Sequence, residues 1–224
     1  MTADGFTQLI DESNTFFAEL CENNSKDWFA PRKEHYIKNI KKPAEFLSEV
    51  LAEDFSRISG QTYVPKLFRI YRDVRFSKDK TPLNAHLHMI WQQSGDNPFA
   101  PAFFFGSEPG DMTVGFGIMG LKGAALTRFR AFVDHWGDQL AEAIAQSGMD
   151  WSDWGAAPLK RVPAPYDADH THADILKKKS MIISTKIDDS WRTEDGGLVK
   201  MIRAQFEATQ PLADLLNAKL SADG

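Results

Sequence analysis

The stretch Ala102–Met119, AFFFGSEPGDMTVGFGIM, sets the fold class of this 224-residue chain. Apolar and aromatic side chains dominate its two ends, and Ser, Glu, Pro, Gly and Asp lie between them at 107–111. Because such residues favour tight turns, the stretch predicts two antiparallel strands joined as a hairpin. Glycines alternate with Val114, Phe116 and Ile118 in the second strand, which predicts a bare sheet face that a helix or a ligand approaches closely.

The rest of the chain places helices on either side of this β region. One more strand is predicted within 84–92, where apolar residues share one parity, and others at 159–162 and 181–186. Apolar residues recur at helical spacing near 9–20, 26–40, 43–58, 124–146, 172–178, 194–208 and 211–220. This order predicts an α+β fold, with N-terminal and C-terminal helices on a central, mainly antiparallel or mixed sheet. Since no repeat or linker interrupts the chain, we expect one domain over 1–224.

Composition excludes several classes of protein. The chain is 42% hydrophobic and 25% charged, which is ordinary for a globular protein and excludes disordered and fibrous classes. Its apolar runs are too short for a membrane span, its first residues do not resemble a secretory signal, and the lone Cys21 cannot form an intramolecular disulfide. We therefore expect a cytoplasmic protein with no membrane association. The net charge of −5 disfavours a surface that coats nucleic acid.

Between Lys66 and Lys80 the chain reads KLFRIYRDVRFSKDK, here called the basic segment. It contains six basic and two acidic residues, a net charge of +4, so the rest of the chain carries −9. Concentrated positive charge of this kind is typical of an anion site.

Two periodicities fit the basic segment. As a strand it places four apolar residues on one face: Phe68, Ile70, Val74 and Phe76. As a helix it repeats apolar residues at i, i+3, i+4 and i+7 from Leu67. Its aromatic content and the preceding Pro65 favour a strand, at least through Tyr71. Arg72 then falls on the apolar face, where a charge requires a carboxylate partner or a ligand.

We expect the basic segment to form a pocket for a small ligand that carries a phosphate or carboxylate group. Arginine forks bind such groups bidentately, and lysines act as point charges. The candidate ligand-binding residues are Arg69, Tyr71, Arg72, Arg75, Lys78 and Lys80. A catalytic pocket would be that of a hydrolase or transferase, with Asp73 or His86 as general base and the arginines stabilising negative charge. The sequence specifies no cofactor and no oligomeric state.

A structural role for the arginines is the first alternative. Asp73, Asp79 and acidic groups elsewhere would neutralise them in a salt-bridge lattice, and the chain would be a non-enzymatic protein-interaction module. Nucleic-acid binding is disfavoured, because aromatic residues of one strand parity more often belong to a core than to a base-stacking surface.

A metal site is the second alternative. His86 and His88 would share one face of a strand and chelate an ion, with Asp169 or His170 as a further ligand. His170 and His172 form another His-x-His pair, but they adjoin a predicted helix start, where a neighbouring polar residue would cap the helix.

The turn at Asn23 and Asn24, with Trp28 close behind it, also has two interpretations. It is a helix–helix connection anchored by aromatic side chains, or it docks over the basic segment as the wall of a pocket.

Three stretches resemble the bacterial and fungal family called domain of unknown function 2461. They are FAELCENNSKDWFAPRKEHY, LFRIYRDVRFSKDKTP and LKRVPAPYDADHTHADILKKKS, at 17–36, 67–82 and 159–180. The resemblance implies a single-domain, soluble α+β protein and implies no activity. Many relatives continue with Tyr-Lys-Thr after the proline, whereas Leu83 and Asn84 follow Pro82 here. If the family site needs that lysine, this chain lacks it or uses His86 instead.

Overall fold

A computed structural model describes residues 6–221 of the chain. The α-helices are α1 (Thr7–Glu22), α2 (Lys26–Phe29), α3 (Lys33–Tyr36), α4 (Lys42–Ser59), α5 (Gly123–Ser147), α6 (Ala173–Leu176), α7 (Gly197–Ala208) and α8 (Gln210–Leu216). Short 3-10 turns at Ala30–Arg32 and Asp189–Arg192 and π turns at Ile37–Lys41 and Asn217–Ser221 extend them. The strands are β1 (Tyr63–Leu67), β2 (Leu87–Gln93), β3 (Ala102–Glu108), β4 (Asp111–Ile118), β5 (Asp150–Trp151) and β6 (Met181–Lys186).

The six strands form one antiparallel sheet in the order β1-β2-β3-β4-β6-β5, and helices occupy both ends of the chain. The predicted α+β class is therefore confirmed. No helix within 6–221 is long and apolar enough to cross a membrane.

Two compact units make up the chain, each assembled from separate segments. Within the described residues, the first comprises 6–91, 104–114 and 186–204, and the second comprises 92–103, 115–185 and 205–221. In the second unit α5 contacts α6 and α8, and Phe103 packs edge-on against Phe206 with ring centroids 5.6 Å apart. The candidate site residues of the basic segment, with His86, all lie in the first unit.

Helix α4 shows how local sequence sets an element of the first unit. Pro43 lies in its first turn, where a missing N–H costs nothing, and Gly60 ends it with a φ of 70°. Apolar residues between them line one buried face, including Leu47, Leu51 and Phe55. The predicted helix over 43–58 is confirmed with nearly the same bounds.

Strand β2 packs one face on that helix. Leu87, Met89 and Trp91 are buried, in agreement with the predicted parity. The Trp91 indole N–H donates to the Ser48 carbonyl of α4 at 2.8 Å, and its ring meets Phe55 edge-on with centroids 5.2 Å apart. Because side chains alternate along a strand, His88 points away from this core.

The predicted hairpin is confirmed as β3 and β4, but the glycine face of β4 has a different partner from the one predicted. A Cβ at Gly117, where φ is 150°, would overlap the Met181 carbonyl oxygen of β6. The close approach at Gly117 is thus made by a neighbouring strand. Glycine is required because both the backbone angle and the space exclude a side chain.

Two strand predictions were wrong. Strand β1 ends at Leu67, and residues 68–83 form a loop with a single bridge between Tyr71 and Leu83. Residues 159–162 are irregular, although the Leu159 N–H donates to the Lys177 carbonyl at 2.9 Å. In the basic segment, the aromatic and β-branched residues that suggested a strand have no continuous neighbouring strand with which to pair.

Candidate functional site

Arg72 is held inside the loop by its own neighbours. Its Nη1 donates to Asp79 Oδ2 at 2.6 Å and to the Thr81 carbonyl at 3.0 Å, and it also contacts Thr81 Oγ1. Its side chain is 24% exposed. Hydrogen bonds from the Thr81 N–H, from Arg72 and from the Thr81 hydroxyl lower the pKa of Asp79 to about 2. The carboxylate that Arg72 was expected to need is therefore provided within the loop.

The other charges of the basic segment are mostly paired as well. The exposed Arg75 forms a fork to Asp73, with Nε–Oδ1 2.9 Å and Nη2–Oδ2 2.7 Å. These hydrogen bonds hold the pKa of Asp73 below its ordinary value, which makes this carboxylate a weaker base. Lys80 Nζ donates to the Val74 carbonyl at 2.9 Å, and Lys78 is exposed.

The loop is fixed to the N-terminal helices by Asn24. Its side-chain amide donates to the Leu83 carbonyl at 2.9 Å, and the Leu83 N–H donates back to the amide oxygen at 3.1 Å. Phe29 meets Tyr71 edge-on with ring centroids 5.7 Å apart. The two interpretations of this turn both apply, because Phe29 is a buried anchor of the helix connection, packed against Phe16 and Tyr36, and also the residue that faces the loop.

Beneath Tyr71 lies a cavity of about 250 Å³, here called the Arg69 cavity. It is lined by Phe29, Lys33, Tyr36, Ile37, Lys41, Glu45, Leu67, Phe68, Arg69, Ile70 and Tyr71. Its lining is largely aromatic and aliphatic, with three cationic residues and one acidic residue. Of the predicted ligand-binding residues it brings together Arg69 and Tyr71, and it leaves out Arg72, Arg75, Lys78 and Lys80.

The charges around the Arg69 cavity are unevenly matched. Lys41 pairs with Glu45 at 2.9 Å, one helical turn away. Within the described residues, neither Lys33 nor the Arg69 guanidinium forms an ion pair, and both side chains are exposed. The cavity therefore has an excess of positive charge that a bound anion would meet.

Tyr36 lines the same cavity, and the residue is only 5% exposed. Burial, with smaller contributions from Glu45 and Tyr71, raises the pKa of Tyr36 to about 12. At neutral pH this side chain is therefore a hydrogen-bond donor at the cavity wall.

Local sequence explains why the helix residues of the cavity share one face. The Ser25 hydroxyl caps α2 by accepting from the Trp28 N–H at 3.2 Å. The chain then continues through α3 into the π turn Ile37–Lys41, a rare geometry that is frequent at functional sites. The spacing of Lys33, Ile37 and Lys41 by four residues places all three on one helical face. That spacing was visible in the sequence, but nothing indicated that the face would meet the loop.

A second polar cluster lies beside β2. The rings of His86 and His88 stack with centroids 3.9 Å apart, and His88 Nε2 is 4.0 Å from Glu108 Oε1 at the end of β3. Burial, and next the neighbouring His86, lowers the pKa of His88 to about 4, and burial also lowers the pKa of His86. These three residues are the group within 6–221 that could hold a metal ion.

The second histidine pair has other partners. His170 Nε2 lies 3.1 Å from Asp134 and His172 Nε2 lies 2.9 Å from Asp138, both on α5. The carboxylate beside His88 is therefore Glu108, which the sequence had not singled out, in the place where Asp169 or His170 was expected.

Comparison with known families supports the resemblance seen in the sequence. The profile of the family described as "Conserved hypothetical protein (DUF2461)" matches residues 12–215. The chain belongs to this family. No curated protein matches the chain. The matched residues include the loop, the Arg69 cavity and the His86–His88–Glu108 cluster, so all three lie within the family domain.

Proposed function

We propose that this chain binds a small ligand in the Arg69 cavity, and that the ligand joins a carboxylate or phosphate group to an apolar or aromatic body. The observation that supports this most is the pair of cations, Arg69 and Lys33, without an ion-pair partner at the rim of an aromatic cavity. A volume of about 250 Å³ suits a small molecule rather than a polymer.

The chemistry of the lining assigns a role to each part of such a ligand. The Arg69 fork would bind the anionic group bidentately, and Lys33 would add a point charge. The Tyr36 hydroxyl, which is a donor at neutral pH, would provide a further hydrogen bond. Phe29 and Tyr71 would contact the apolar body, because aromatic faces favour such groups.

The proposal is for binding and not for a particular reaction. Neither Asp73 nor His86, the two residues predicted as general bases, is among the cavity residues. A general base must lie within hydrogen-bond reach of the proton that it removes, directly or through one water. A hydrolase or transferase activity with these bases therefore gains no support from the cavity.

Calorimetry with inorganic phosphate, phenyl phosphate and benzoate tests the proposal. We expect the two aromatic anions to bind more tightly than inorganic phosphate, because only they can fill the apolar part. In Arg69→Met the affinity should fall about 10- to 100-fold, as expected for the loss of charge-assisted hydrogen bonds.

Arg75→Met is the matched control, because Arg75 belongs to the same loop but lines no part of the cavity. It should bind as the wild type does. Absence of binding by all three probes, or an equal loss in both variants, would contradict the proposal.

One observation favours the interaction module as a second candidate function. Phe76 of the loop is 95% exposed, while Arg72 and Arg75 nearby form ion pairs with carboxylates of the same loop. Large exposed aromatic side chains are enriched where proteins bind one another. In that case anion binding would be absent, and Phe76→Ser would weaken association without changing the melting temperature.

A further inference from the structure

We propose that His86, His88 and Glu108 form a binding site for a divalent transition metal of the zinc class. The three side chains lie together because β3 is the sheet neighbour of β2 and Glu108 ends β3. One ligand atom from each residue can be chosen so that all three lie within 4.8 Å of one another. The proposal does not depend on the Arg69 cavity, which shares none of these residues.

The distances are close to those of a metal centre. Bonds of about 2.0–2.1 Å in a tetrahedron place neighbouring ligand atoms about 3.3 Å apart. The His88–Glu108 distance of 4.0 Å therefore has to close by less than an ångström. Glu108 is 56% exposed and can move by rotating its side chain, while His88 is held in β2 and the half-buried His86 directly precedes that strand. Because the two rings stack with an interplanar angle of 22°, binding also requires one ring to tilt.

Gly106 provides the space that the His88 ring occupies. A Cβ at this position would lie 2.9 Å from both Cδ2 and Nε2 of the His88 ring. Gly106 is two residues before Glu108 in β3, so the two positions share one face of the strand. Strand β3 thus leaves room for the His88 imidazole at Gly106 and provides a carboxylate at Glu108, the next residue on the same face.

The ligand types select the class of metal. Two imidazole nitrogens and one carboxylate suit zinc and its first-row neighbours, whereas calcium and magnesium prefer oxygen ligands throughout. Three protein ligands leave a fourth position for water or a substrate, as in catalytic rather than structural zinc sites.

Zinc titration of the full chain, stripped with a chelator and studied by calorimetry, tests the site. We expect one equivalent of Zn²⁺ to bind, and Co²⁺ in its place to give the visible absorption of a four-coordinate ion. Glu108→Gln keeps the size of an exposed side chain and should weaken Zn²⁺ binding at least tenfold. His88→Gln should abolish it.

His135→Gln and Asp111→Asn are the controls, because they change an exposed histidine and an acidic residue of the adjacent strand outside the cluster. Both should bind Zn²⁺ as the wild type does. Failure of the wild type to bind, retention of binding in His88→Gln, unchanged affinity in Glu108→Gln, or an equal loss in His135→Gln would each overturn the proposal. Glu108→Gln decides the matter even if the His88 variant does not fold.

Discussion

Replacing Tyr36 by phenylalanine should remove the part of the loss of folding stability at alkaline pH that Tyr36 causes. A tyrosine in an unfolded chain ionises near pH 10, whereas the pKa of Tyr36 in the folded protein is about 12. Between these values the folded state keeps a proton that the unfolded state has lost. The free energy of unfolding therefore falls as the pH rises through this window.

The size of the effect follows from the difference in pKa. One pKa unit corresponds to about 1.4 kcal/mol, so the contribution of Tyr36 is roughly 1.4 kcal/mol smaller at pH 11 than below pH 9. It approaches a total loss of about 2.7 kcal/mol above pH 12. The Tyr36→Phe variant has no hydroxyl and should lack this loss.

Urea unfolding of both proteins at pH 8, 9, 10 and 11, followed by tryptophan fluorescence, measures the effect. Lysines and the other tyrosines titrate in both proteins, so their contributions cancel when the two free energies are subtracted. We expect the free energy of unfolding of the wild type, relative to that of the variant, to stay constant up to about pH 9. Above that pH the wild type should lose stability relative to the variant. If the difference between the two free energies stays constant to pH 11, the pKa of Tyr36 is not raised in the folded protein and the reasoning is refuted.

Two further substitutions test the loop and the histidine cluster. Gly106→Ala should cost about 1 kcal/mol of unfolding free energy in urea, because the His88 ring can partly move aside, yet it should abolish Zn²⁺ binding by calorimetry. Unchanged zinc affinity would show that the ring needs no such space. Arg72→Met should lower the melting temperature by about 2–4 °C, because Arg72 anchors the loop, whereas Arg75→Met should leave it nearly unchanged. Equal melting temperatures for these two variants would exclude a structural role for Arg72.

The elements that could be predicted from the sequence are those with local signals at both ends. Helix α4 has Pro43 in its first turn and Gly60 at its end, and the hairpin of β3 and β4 has a Pro-Gly turn at its centre. The parity of β2 was equally clear, because Leu87, Met89 and Trp91 all pack on one face. Short-range sterics and burial specify such features without knowledge of the rest of the fold.

The loop could not be predicted in the same way, because part of what holds it lies far away in the sequence. Its alternating aromatic residues suggested a strand, yet the hydrogen bonds that fix it come from Thr81 and Leu83 at its own end and from the distant Asn24. Glu108 was missed for a related reason, since the order of strands in a sheet decides which residue of β3 lies beside His88. Neither fact is encoded within a window of sequence around the residue concerned.

The basic segment shows why the net charge of a short stretch of sequence does not identify the residues of a binding site. Its net charge of +4 suggested that all its arginines and lysines face one ligand. In the fold, Arg72 and Arg75 each bond a carboxylate of the same loop, which leaves Arg69 to face the cavity. The second unpaired cation, Lys33, comes from a helix outside the segment. A ligand is attracted by the charges that surround its own cavity, wherever they lie in the sequence. The excess of positive charge at the Arg69 cavity therefore arises from tertiary packing, which brings Lys33 of a helix beside Arg69, the loop arginine without an ion-pair partner among the described residues.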